Sequence, residues 1–222
     1  MDAPFSARVP RYDKKAWIIA LSVALLTVLV YLPALQNDFV NWDDDIHVYE
    51  NDRIQSIDFK SLKWMFISYT YAGNWYPLTW LSYAIDYSLW GLNPMGYHLT
   101  NIIFHGLNTF FVVLIIMRLI EIAGVKETPF FTPEQDRLQI RALTTAAVTG
   151  FLFGLHPLHV ESVAWVSERK DVLYAFFFLL SIFSYLKYKA PSAQKKKTLY
   201  YALCLIFFVF SLMSKPMAVT LP

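Results

Sequence analysis

Three consecutive carboxylates, Asp43, Asp44 and Asp45, lie shortly after a long uncharged run that ends before Asp38. Their mutual repulsion has to be relieved by a cation, by hydrogen bonds or by a proton. A carboxylate at the edge of a membrane can act as a general base, or help to hold a divalent ion through oxygen ligands. The plainer alternative is a solvated turn in which one aspartate caps a helix. His47, close by, reads as a surface histidine.

A second polar cluster lies over 156–171, His156-Pro-Leu-His-Val-Glu-Ser-Val-Ala-Trp-Val-Ser-Glu-Arg-Lys-Asp. His156, His159 and Glu161 follow an apolar run of only fourteen residues, 142–155. A helix that short spans about 21 Å, against a hydrocarbon core of about 30 Å. These groups are therefore expected at or just below the membrane surface, facing protein or a wet cavity. The His-x-x-His spacing is that of a ligand pair, but no third partner accompanies it. Arg169 and Lys170 have the chemistry to hold an anionic phosphate.

The elements that must carry these groups follow from composition. Of 222 residues, 56% are hydrophobic and 16% charged, where soluble domains average about 25% charged. The reading is an all-α membrane protein, a polytopic helical bundle. Spans are expected at 16–35, 99–117, 142–155, 172–188 and 199–213. The first is taken as a retained anchor, not a signal peptide, because it is long and no small-residue cleavage site follows it. A net charge of +2 gives no basic surface for nucleic acid. The single cysteine, Cys204, lies in an apolar run and excludes an internal disulfide framework.

Loop charge orients the spans, since cytoplasmic loops favour Lys and Arg. Segment 76–90 is apolar but contains Asp86. If it lies along the membrane surface, thirteen of the nineteen basic residues share the side of the N-terminus. If it spans, only seven do. The first topology is favoured. Segments 1–15, 118–141 and 189–198 are then cytoplasmic, and 36–98, 156–171 and 214–222 outer. Within the outer loop 36–98, segments 56–66 and 76–90 read as interfacial helices. Both polar clusters thereby fall on one face.

The runs Phe39-Val-Asn-Trp-Asp-Asp-Asp, Trp75-Tyr-Pro-Leu-Thr-Trp, Gly91-Leu-Asn-Pro-Met-Gly-Tyr-His-Leu-Thr-Asn, the 156–171 segment and Ser214-Lys-Pro-Met-Ala-Val-Thr-Leu-Pro resemble the membrane domain of the transmembrane and tetratricopeptide-repeat proteins. Those are similar to the protein O-mannosyltransferases of the GT-C glycosyltransferase fold. The resemblance runs from Phe39 through nearly the whole chain. It implies part of a GT-C fold and transfer of a sugar from a polyprenyl-phosphate donor to a hydroxyl acceptor, a protein Ser or Thr foremost. It implies that Asp43 and Asp44 activate the acceptor and that Arg169, Lys170 and Asp171 lie at the lipid phosphate. Asp45, His156, His159 and Glu161 are supporting candidates. It carries over no established cofactor, although a divalent cation is compatible. The family continues with more spans and helical repeats of about 34 residues, so this chain reads as an N-terminal membrane part. The setting implied is a bacterial cytoplasmic membrane, or the endoplasmic reticulum in a eukaryote. A non-catalytic anchor for a partner domain is the alternative. A transporter is disfavoured, because charges sit at span ends and no internal repeat is present.

Overall fold

A computed structural model describes residues 14–68, 71–73, 75–124 and 133–221. The expected cytoplasmic N-terminus, with Arg8 and Arg11, and the part of the next cytoplasmic loop that holds Lys126 lie outside the described residues.

Eight α-helices occur among the described residues: α1 (Lys14–Tyr31), α2 (Phe59–Ile67), α3 (Pro77–Trp90), α4 (Pro94–Gly124), α5 (Pro133–Gly154), α6 (His159–Ala164), α7 (Arg169–Lys189) and α8 (Lys197–Ser214). No strand occurs among the described residues. The architecture is an all-α membrane bundle. Among the described residues four stretches are long and apolar enough to cross a membrane: Lys14–Gln36, Pro94–Ala123, Val166–Lys189 and Gln194–Ser214. The expected third span lies in the second half of α5. That helix has the length, but its first half carries Glu134, Asp136, Arg137 and Arg141. Segment 76–90 forms the separate fourteen-residue helix α3, too short to be counted with the four.

Helix α4 is the spine, packing on α1, α5, α6 and α7. Its thirty-one residues extend well beyond a bilayer core at 1.5 Å per residue. It starts at a proline, where a missing N–H costs nothing, and the Asn93 side chain accepts the Met95 N–H at 3.2 Å. Gly91 turns the chain with φ +60°, a conformation glycine adopts without a Cβ clash. At Gly96 a Cβ would come within 2.2 Å of the Trp90 ring. Further along, Gly150 lets α5 approach α4, since its Cβ would lie 2.4 Å from a Val113 methyl. Close backbone approach of this kind is what packs helices in lipid, where no hydrophobic drive separates them from their surroundings.

Small hydroxyl residues tie α7 to α8. Ser181 donates to the Cys204 carbonyl and Ser211 to the Tyr174 carbonyl, both at 2.9 Å. At the end of α8 the Ser214 carbonyl, left open by the helix terminus, accepts the Thr79 hydroxyl of α3 at 3.0 Å. Helix α3 is thus fastened across the bundle end.

A polar stripe runs along one face of α4. His98, Asn101, His105 and Asn108 are all buried, and their spacing returns them to the same side of a helix. Asn101 donates to the Val163 and Trp165 carbonyls at 3.2 and 3.0 Å. His105 Nε2 donates to the Gly154 carbonyl at 2.9 Å, and Asn108 donates to Val172 at 2.8 Å. Side chains of α4 thus donate to backbone carbonyls from the end of α5 through α6 to the first turn of α7. Such pairing is obligatory away from water.

Candidate active site at the acidic-loop end of the bundle

The aspartate triplet does not act as a unit. Asp43 is half-buried, Asp44 fully buried and Asp45 half-buried. Asp44 turns inward and accepts the Val40 N–H at 2.9 Å, the Ser167 N–H at 2.9 Å and the Ser167 hydroxyl. Asp45 turns back onto the Ile46 N–H at 2.8 Å. Asp43 makes no side-chain hydrogen bond or ion pair among the described residues, so both of its oxygens stay open. Its carbonyl is held instead, by the Nδ1–H of His47 at 2.8 Å and the His47 backbone N–H at 2.9 Å.

His47 corrects a sequence expectation. It is buried, not a surface residue. Its ring stacks on Trp80 with centroids 5.2 Å apart, and its Nε2 accepts the Tyr76 hydroxyl at 2.7 Å. Burial holds its pKa below the usual imidazole value; the Asp43 carbonyl works against burial, and Lys170 adds to it. The same burial raises the Tyr76 phenol, helped by the charges of Asp43 and Glu168. Asp43, Lys170 and Glu168 therefore all act on the His47–Tyr76 pair, which places the two polar clusters at one locus. Behind it stand Trp80, Tyr83, Tyr97, Met65, Ile54, Val48 and Val166, a buried aromatic wall.

Arg169, expected at a lipid phosphate, lies inside the protein. It is fully buried. One Nη donates to Asp86 at 2.7 Å and to the Tyr97 carbonyl at 2.8 Å, the other to Ser82 at 3.3 Å, and Nε to Asn101. Its guanidinium lies 5.2 Å from the Tyr83 ring centre. Four of its five donors are thus taken up by protein groups. Burial pushes the Asp86 carboxyl up, and Arg169 and Thr100 oppose that rise.

The cations that do face outward are Lys170 and Lys215. Lys170 pairs with Glu168 at 2.8 Å, and Lys215 pairs with Asp171; all four side chains keep partial exposure. Asp171 also accepts the Ser162 hydroxyl at 3.3 Å. Asp171 thus reaches protein cations and hydroxyls, as its position after Arg169-Lys170 would allow. Lys215 did not emerge from the sequence as a site residue, since it lies 44 positions from its partner.

The histidine pair stands apart. His156 is exposed, and its Nδ1 accepts the Leu158 N–H at 3.2 Å. His159 packs on Phe153 at 4.7 Å between ring centres and on His105 at 5.6 Å. Glu161 is exposed. No group of three or more His, Cys, Asp or Glu residues placed to hold a metal occurs among the described residues.

Fold and site together define the class: an integral, all-helical membrane protein with a carboxylate and two cations gathered at one end of the bundle. No family model matches the chain, and no solved structure does. It is similar to protein O-mannosyl-transferase TMTC4 of Mus musculus, 29% identical over 208 residues, covering 89% of this chain and 27% of that protein. TMTC4 of Homo sapiens is 30% identical over 176 residues, 75% of this chain and 22% of its own length. TMTC2 of Homo sapiens is 29% identical over 192 residues, 82% of this chain and 20% of its own length. The chain is a relative of the TMTC protein O-mannosyl-transferases, as its motifs suggested. It spans about a quarter of the length of these relatives.

Proposed function

We propose that this chain carries the acceptor-activating face of a membrane glycosyltransferase, which moves a mannosyl group from a polyprenyl-phosphate donor to a Ser or Thr hydroxyl of a protein. The observation that carries the reading is the division within the triplet. Asp44 has both oxygens engaged by donors, Asp45 holds its neighbour's N–H through one oxygen, and Asp43 has no side-chain partner among the described residues. The named activity of the relatives supplies the reaction class.

Asp43 takes the proton of the acceptor hydroxyl as that oxygen attacks the anomeric carbon. The bond from that carbon to the phosphate oxygen breaks, and the lipid phosphate leaves with the electron pair. Lys170 and Lys215 stabilise the departing charge, a role that positioned cations fill well in a partly dry site. In the unliganded arrangement they hold Glu168 and Asp171; the donor phosphate exchanges with those carboxylates. Arg169, placed with the phosphate by the family resemblance, serves instead to fix the segment that carries Lys170. The active face lies on the outer side of a bacterial cytoplasmic membrane, or in the lumen of the endoplasmic reticulum, with the N-terminus cytoplasmic.

The test is transfer of mannose to a Ser/Thr peptide by the full natural chain in proteoliposomes. Asp43→Asn should cut turnover by about 10²–10⁴-fold, the contribution of a general base, while donor binding persists. Undiminished turnover would remove Asp43 from the role. A purified protein that never binds a polyprenyl-phosphate sugar would point to a non-catalytic anchor.

A further inference from the structure

Asp44 and Ser167 are 123 positions apart and both fully buried. Ser167 spends its backbone N–H and its hydroxyl on one oxygen of Asp44, and Val40 donates to the other oxygen. The neighbours of these residues are the outward-facing ones. Asp43 precedes Asp44, and Glu168 and Lys170 follow Ser167. On the far side of Ser167 the Val166 carbonyl is fixed by the Tyr83 hydroxyl at 2.9 Å. Two residues further on, Arg169 is locked to Asp86 at 2.7 Å. The Ser167–Arg169 turn is therefore held from both sides, and Asp44 is its link to the acidic loop.

We propose that Asp44 and Ser167 are positioning residues, whose buried contact clasps the acidic loop to the segment entering α7 and so sets Asp43 against Lys170. This rests on the reading of Asp43 as the base. Lone pairs of a buried carboxylate need donors, and here those donors come from a different part of the chain. The register between acceptor-side and phosphate-side groups is thereby fixed before substrate arrives. A carboxylate with that duty has no oxygen to spare for the acceptor, which separates Asp44 in function from its neighbour.

The proposal is tested in the full natural chain in proteoliposomes, with a polyprenyl-phosphate-linked mannose and a Ser/Thr peptide. Ser167→Ala and Asp44→Asn should each lower kcat by up to about 10²-fold, the usual cost of misplacing a reacting group by an ångström. Both KM values should stay within about twofold, because ground-state binding is not the target. The double variant should be less impaired than the product of the two single effects, since both changes weaken the same Asp44–Ser167 contact. Independently of turnover, Asp44→Ala, which removes both acceptor oxygens, should speed amide hydrogen exchange both near Val40 and near Ser167 in detergent. Unchanged kcat in Ser167→Ala, effects that multiply in the double variant, or exchange that rises on one side only would each overturn the clasp. An active Asp43→Asn protein would overturn the base assignment instead, and the exchange result would still report on the contact itself.

Discussion

The guanidinium of Arg169 meets the carboxylate of Asp86 at 2.7 Å, with the two side chains 0% and 3% exposed. One belongs to the start of α7, the other to the middle of α3, and 83 positions separate them. Removing one member of such a pair leaves an unpaired charge in a dry site, at a cost of about 3–5 kcal/mol. Replacing both by apolar residues costs far less. Asp86→Ala is expected to lower the unfolding midpoint in detergent sharply, and Asp86→Leu combined with Arg169→Met to recover part of it, since Asn101, Ser82 and Tyr97 then lose the donor that Arg169 supplies. A double variant as unstable as the single one would show that the pair does more than neutralise itself.

His47 makes stability depend on pH. Its pKa is depressed by burial, so the unfolded chain binds a proton more readily than the folded one. Its contribution is complete above the unfolded imidazole value of about 6.5 and is lost as pH falls through the lower folded value. Thermal unfolding in detergent should show a stability loss below pH about 6.5 that His47→Gln removes.

Tyr76→Phe strips the donor from His47 Nε2. Leaving that buried acceptor unsatisfied should cost about 1–3 kcal/mol. In the Tyr76→Phe and His47→Leu double variant the loss should be smaller than the sum of the single losses, which chemical denaturation can measure.

Gly96 leaves no room for a side chain beside Trp90, since a Cβ there would lie 2.2 Å from the ring. Gly96→Ala should destabilise by about 1–3 kcal/mol through overpacking. Adding Trp90→Leu should restore part of that loss if the ring is the obstacle.

Orientation follows from loop charge and is open to labelling. In a Cys204→Ala background, Trp42→Cys should react with an impermeant maleimide from outside intact cells. Gln194→Cys should react only after permeabilisation. Both positions are exposed, and the reverse pattern would invert the topology.

Composition and apolar run length were enough to define a helical membrane protein, because backbone groups in lipid must be satisfied within helices. The triplet lies soon after one long apolar helix and Arg169–Asp171 opens another, neighbourhoods along the chain that local order alone makes legible. A further signal was available and pointed inward: His98, Asn101, His105 and Asn108 mark a polar face on an otherwise apolar helix, and such groups seek protein partners. Asp86, used only to argue against a span, was the other. Which aspartate stays free and which basic residue stays available were decided by tertiary structure alone. Asp43 and Asp44 are chemically identical and adjacent, and so nearly are Arg169 and Lys170 as cations. Their roles diverge because Ser167, Asp86, Asn101 and Tyr97 arrive from distant segments and consume the hydrogen-bonding capacity of one member of each pair. No periodicity in the chain encodes those encounters; they exist only when α3, α4 and the start of α7 are packed together.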